Sequence, residues 1–187
     1  MKHLNIIILL LCNFLFSQLK LGFDINGEAK LSTSSDSQTA DIDNSVILGY
    51  ERILEIDEKL TYGLGGEFMI NRGAEEFGSG NFAFHSIYGY GNYKIDEKFY
   101  VIGRIGYNLF TSDDDFTDCA DVCDITLDGG LMYGLGVGFS LTQKVDFEGM
   151  YITNEGKTKI NYNNNYYYGY DDVDAKFSYS RLNLALK

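Results

Sequence analysis

From Leu19 onward, apolar side chains recur at every second position in one segment after another, and no long segment repeats them at helical spacing. Residues 131–141 are the clearest case: Leu131, Tyr133, Leu135, Val137, Phe139 and Leu141 alternate with Met132, Gly134, Gly136, Gly138 and Ser140. A period of two is the signature of a β-strand with one apolar face. A chain built almost wholly from such segments must form a sheet. Glycine weakens a strand interior, so three glycines on one face of one strand require a reason.

The pattern divides the chain into eight strands, at 19–29, 44–56, 60–71, 82–95, 98–111, 129–142, 145–154 and 175–187. Tight turns at 57–59, 96–98 and 142–144 alternate with long polar connections at 30–43, 72–81, 112–128 and 155–174. "IDEKL" at 56–60 recurs as "IDEKF" at 95–99, so the hairpin unit repeats. Short turns at one end and long loops at the other describe an up-and-down meander. Strands of about ten residues span a bilayer when tilted by about 45°. Lipid offers no partner for an open sheet edge, so the sheet must close. The expected fold is all-β, an eight-stranded antiparallel up-and-down transmembrane β-barrel. The mean hydropathy of −0.15 hides this, because lipid-facing and lumen-facing residues average out.

The glycines then have a place. With Leu131, Leu135, Val137 and Phe139 toward lipid, Gly134, Gly136 and Gly138 face a lumen barely wide enough for side chains. A hydroxyl added at Gly136 is expected to be tolerated better than an arginine at Leu135, because it can join a polar interior, with crowding in so small a lumen as the competing cost. Two segments are less regular. In 82–95, Phe84, Tyr88 and Tyr90 are assigned to the apolar outer face. In 175–187 the phase is expected to change between Tyr179 and Leu182, through a bulge.

Residues 1–17 carry Lys2, an apolar run and a closing small residue, Ser17, as a signal peptide does. The barrel domain is assigned to 18–187. Beyond the signal two cysteines remain, Cys119 and Cys123, and an even count in an exported chain points to a disulfide. The formal net charge of −12 argues against nucleic acid as a partner.

The strands "YGLGVGF" (133–139), "IYGYGNYKI" (87–95) and "SRLNLAL" (180–186), with the export signal and the unlike ends, resemble the OmpA/OmpX-type outer-membrane β-barrels of Gram-negative bacteria. The resemblance covers essentially the whole chain after the signal. It is specific for architecture and weak for function. It implies a monomer in contact with outer-membrane lipid. Many such barrels end in an aromatic residue, whereas this chain reads Leu186–Lys187.

Asp24, Glu28, Glu51, Glu67, Asp146 and Glu148 share the inward phase with Lys20 and Arg104, and Glu28, Glu51, Glu67, Arg104 and Glu148 are expected to form a polar network in the lumen, where charges must pair or be solvated. No catalytic residue, metal or cofactor is assigned. His85 and Ser86 are adjacent on a strand and point to opposite faces, and His85 is the only histidine beyond the signal, so a lipid hydrolase or acyltransferase is disfavoured. The acidic stretch 112–128 lacks EF-hand spacing and is expected to be a solvated loop. The Asn/Tyr-rich stretch 161–174 holds Tyr162, Tyr166, Tyr167, Tyr168 and Tyr170, candidates for binding an extracellular protein or glycan, since Tyr gives contact area at low entropic cost. The expected role is structural or adhesive; a narrow pore or a small-ligand uptake barrel is the alternative.

Overall fold

A computed structural model describes residues 17–73, 81–113, 123–162 and 173–187. Among these, the strands are β1 (Ser17–Ser32), β2 (Ser37–Ile42), β3 (Ser45–Ile56), β4 (Leu60–Met69), β5 (Arg72–Gly73), β6 (Asn81–Lys94), β7 (Phe99–Ser112), β8 (Cys123–Asp128), β9 (Gly130–Ser140), β10 (Asp146–Tyr162) and β11 (Val173–Leu186). Eight of them close an antiparallel ring in the order β1, β3, β4, β6, β7, β9, β10, β11, with β11 pairing back onto β1. The short strands prolong three ring strands toward the long loops. β2 continues β3 along β1, β5 continues β4 along β6, and β8 continues β9 along β10. The connections expected at 30–43 and 155–174 are therefore partly strand: β2 lies in the first, and β10 reaches Tyr162 before β11 begins at Val173.

Aspartates shape two of the three tight turns, and Thr142 the third, its hydroxyl oxygen accepting the Lys144 N–H at 3.1 Å. The Asp96 carboxylate accepts the backbone N–H groups of Lys98 and Phe99, each at 2.8 Å, while Ile95 N–H donates to the Phe99 carbonyl. Asp57 does the same work with Glu58 N–H at 2.7 Å. An Asx side chain standing in for a backbone turn suits such short links.

The wall is inside out relative to a soluble barrel. Leu135 is 71% exposed and Ile87 73% exposed on the outer face, whereas Arg181 is 0% exposed within. A closed ring of strands with an apolar outside and charges inside is what a bilayer selects.

The interior has two floors. Toward the long loops, Phe82, Phe84, Phe110, Phe177 and Tyr179 pack with Ala29, Ala40, Ile42, Ile47 and Met69. Phe84 stacks on Phe110 at 4.4 Å between centroids, and Phe82 meets Phe177 edge-on at 5.4 Å. Toward the tight turns, Tyr88, Tyr90, Tyr100, Ile102, Met132, Met150 and Ile152 are buried among the charges.

The inward faces of β6 and β11 correct two sequence expectations. Phe84, Tyr88 and Tyr90 point inward, not to lipid, and Ile87 and Tyr93 take the outer face of β6. β11 keeps one phase throughout: Phe177, Tyr179, Arg181, Asn183 and Ala185 all face inward, with no bulge. What changes along β11 is the chemistry of the lumen, from aromatic to ionic.

A real phase change occurs in β1. Asn26 adopts a positive φ of 50°, and the register against β11 slips between Ile25 and Glu28. Asn is among the few side chains that accept the left-handed region. Asp24 faces inward before the slip and Ala29 after it. Glu28 is thereby turned out and exposed, contrary to its expected place in the lumen.

Candidate functional site: the lumen

The glycine stripe of β9 makes the site possible. β9 lies between β7 and β10, whose inward residues are large. Gly138 sits opposite Tyr100 and Glu148, Gly136 opposite Ile102 and Met150, and Gly134 opposite Arg104 and Ile152. A Cβ at Gly138 would overlap the Tyr100 ring. The same arrangement recurs between β4 and β6: Gly63 faces Tyr90 and Gly65 faces Tyr88, and a Cβ at either would come within 3 Å of the phenol opposite. Cross-strand aromatic-on-glycine pairs fill the space the glycine leaves.

Around these rings runs one ionic network. Arg104 on β7 reaches three carboxylates: Glu51 at 2.6 Å, Glu148 at 2.6 Å and Glu67 at 3.2 Å. Glu67 also binds Lys20 and, at 3.3 Å, Arg181. Arg181 Nε and Arg72 Nη1 each lie 2.9 Å from Asp24. Lys187 Nζ closes the lower end, 2.6 Å from Glu148 and 3.2 Å from Glu51. Tyr88 and Tyr100 donate their hydroxyls to Glu51 at 3.0 Å and Glu148 at 2.9 Å. Arg181 and Arg72 also donate, to Asn154 and to the Tyr179 oxygen. The guanidinium of Arg104 lies 5.0 Å from the Tyr88 ring centre, and that of Arg181 5.4 Å from the Tyr179 ring centre.

Ionised groups out of water are costly unless each is paired and its remaining bonds satisfied. Here Asp24, Glu51, Glu67 and Glu148 each meet at least two cations. The charges come from β1, β3, β4, β5, β7, β10 and β11, so the network ties most of the ring together through its centre.

Glu51, Glu67, Arg104 and Glu148 thus meet in the lumen, and Glu28 does not. Sequence reading missed Arg72, Arg181 and Lys187 as members. Arg72 lies beyond the expected strand pattern, Arg181 sits where a phase change was expected, and Lys187 follows the last alternating pair.

His85 and Ser86 take opposite faces. His85 stacks on Phe68 at 4.5 Å on the outer wall and its Nδ1 accepts the Met69 N–H at 3.3 Å. Ser86 is buried and accepts from Asn154 at 3.2 Å. Cys119, Tyr166, Tyr167, Tyr168 and Tyr170 lie outside the described residues. Cys123 and Tyr162 are described in their backbone alone, paired across β8 and β10.

A closed ring of eight antiparallel strands, an apolar outer belt and an ionic interior now stand together. The architecture is that of a small outer-membrane β-barrel. Comparison with solved structures finds the attachment invasion locus protein Ail of Yersinia pestis, at 15% identity and a TM-score of 0.45, over 90% of this chain and 97% of that one. It also finds the outer membrane protein OprG from Pseudomonas aeruginosa, at 14% and 0.49 over 90% and 95%. Neisserial surface protein A matches at 18% and 0.42 over 91% and 98%. No residue's role is taken from these likenesses. No family model and no curated protein matches the chain.

Proposed function

We propose that the protein is a closed, non-conducting barrel of the outer membrane that works at the cell surface, strengthening the envelope and presenting its long loops to an extracellular protein or glycan. The observation that carries this reading is the filling of the lumen. The aromatic floor around Phe82, Phe84, Phe110 and Phe177 lies over the network centred on Arg104. A narrow pore or an uptake route through the barrel is disfavoured by the same filling. What then reaches a partner is the loop end, with the acidic stretch 112–128 and the Tyr/Asn-rich stretch 161–174. We also infer that Cys119 and Cys123 are joined, which alkylation without reductant followed by mass spectrometry tests.

The functional test is surface display of the full chain beside a variant whose residues 163–172 are replaced by Gly and Ser. Binding of intact cells to immobilised glycans and extracellular proteins is the readout. The replacement should abolish binding while the barrel still shifts on a gel upon heating. Equal binding by both chains would remove the Tyr-rich loop from the account.

A further inference from the structure

The edge formed by β4 and β5 slips by one residue against β6. Leu60 to Glu67 pair with Tyr93 to Ser86, and Arg72 and Gly73 resume the pairing with Phe82 and Asn81. Four residues, Phe68 to Asn71, thus stand opposite three, Ala83 to His85, as in a β-bulge. Ile70 and Asn71 are both exposed on the outer wall, and the slip turns Arg72 into the lumen, where it meets Asp24 at 2.9 Å and the Tyr179 oxygen.

A bulge leaves ladder groups without backbone partners, and beside lipid each must find another. Regular pairing would let Met69 and Phe84 exchange both backbone bonds. Instead Met69 N–H donates to His85 Nδ1 and Phe84 N–H to the Met69 sulfur, each at 3.3 Å. A thioether is a weak acceptor, so the imidazole is the stronger of the two substitutes. Its tautomer follows from Thr111. That hydroxyl donates to the Ala83 carbonyl at 3.3 Å, so toward Nε2, at 3.4 Å, it acts as the acceptor and Nε2 carries the proton. Nδ1 accepts only while the ring is neutral.

His85 sits at the rim of the apolar belt, with Ile87 and Leu109 toward the tight turns and the exposed Thr111 toward the long loops, so protons reach it from outside. β4 turns Phe68 and Ile70 to this face and no charge. The titratable groups that share it among the described residues are Tyr107 and Asp113 on β7, and Asp113 is bonded to Asn81 at 2.8 Å.

We propose that His85 is a pH-operated latch on the barrel wall: neutral, it closes the bulge between β4 and β6; protonated, it lets residues 69–73 part from β6. A proton on Nδ1 sets a donor against the Met69 N–H. The closed form therefore binds one proton fewer than the open form, and acid favours opening. β5 pairs with β6 over two residues only, so its release is a local event with the ring still closed below it. The latch leads into the connection at 74–80, not the Tyr/Asn-rich stretch, and stands apart from the proposed binding role.

The test is amide hydrogen exchange by NMR on the full barrel in lipid nanodiscs, corrected for the intrinsic effect of pH. His85 is the only histidine among the described residues, and its ring nitrogen signals report its titration in the same sample. Protection of the Met69 and Phe84 amides should fall about tenfold or more between pH of about 8 and about 5, while that of Ile105 on β7 holds. H85N places a non-titrating oxygen near the position of Nδ1 and should protect Met69 at both pH values. H85A should leave it unprotected at both. H85Q takes the place of H85N if the latter lacks the heat-shifted folded form. Equal protection of Met69 at both pH values in wild type would overturn the proposal. So would the same acid loss in H85N, a loss shared by Ile105, or wild-type protection in H85A.

Discussion

The ring of Tyr100 occupies the space that a side chain at Gly138 would need, and the two residues face each other directly across β7 and β9. The phenol also donates to Glu148 at 2.9 Å, so a glycine on one strand fixes an ionic contact on another.

Gly138→Ala should therefore destabilise the barrel by about 1–3 kcal/mol through overpacking. Tyr100→Ala should cost stability by itself, through the lost ring and hydrogen bond. The double variant should cost less than the sum, because the clash needs both partners. Reversible urea unfolding in lipid vesicles measures all three. Strict additivity would show that the two do not meet.

On the outer face, Leu135→Arg should cost roughly 2–4 kcal/mol, the usual penalty for a lipid-facing arginine near mid-bilayer. Leu135→Phe should be close to neutral. At the neighbouring Gly136→Ser, crowding outweighs the polar interior that could receive a hydroxyl. A Cβ there would strike the Gly149 carbonyl oxygen and come within 2.6 Å of Met150 Cγ. It should be destabilising too, by crowding and not by lipid exposure, and only the Leu135→Arg penalty should vary with bilayer thickness.

Arg104→Met leaves Glu51, Glu67 and Glu148 without their shared cation. Breaking such buried pairs costs about 3–5 kcal/mol. Lysine at 104 should restore little, since an ammonium lacks the fork that reaches three carboxylates. Glu51→Gln in the Arg104→Met background should recover part of the loss, by removing one uncompensated charge. An Arg104→Met barrel as stable as wild type would mean that the network is solvated.

At the tight-turn end, two backbone N–H groups hold the Asp96 carboxyl below its ordinary value. A depressed folded-state pKa means that the turn's contribution is present above the unfolded-state value and is lost as pH falls through the folded one. Carbon-detected titration by NMR should place the Asp96 midpoint below that of a free aspartate. Asp96→Asn should abolish the low-pH change in the amide signals of Lys98 and Phe99. A midpoint at or above the free value would contradict the geometry.

The ring, its strand number and its tight turns are legible in the sequence because the period of two survives wherever one face meets lipid. The interior is less legible. The lumen tolerates Phe177 and Tyr179 at one level and Arg181 and Asn183 at the next, so inward residues have no single polarity by which to recognise them. The bulge at Asn26 leaves almost no trace, since Asn26 and Gly27 fit the expected alternation until the register slips. That one residue turns Glu28 out, while Glu51, Glu67, Arg104 and Glu148 lie on unbroken stretches and arrive where the alternation places them. The aromatic register of β6 is ambiguous because both of its faces carry bulky residues. The glycines of β4 opposite Tyr88 and Tyr90 resolve it, and they belong to another segment of the chain.

The central claim is that the lumen is closed, and single-channel recording in planar bilayers tests it most directly. The refolded protein, verified by its heat-dependent shift on a gel, should give no sustained conductance steps under applied voltage. Removing the aromatic floor with Phe82→Ala and Phe84→Ala, or weakening the network with Arg104→Met, should be needed before ions pass. A stable, regular conductance from the unmodified barrel would contradict the closed lumen, and the surface role would lose its main support.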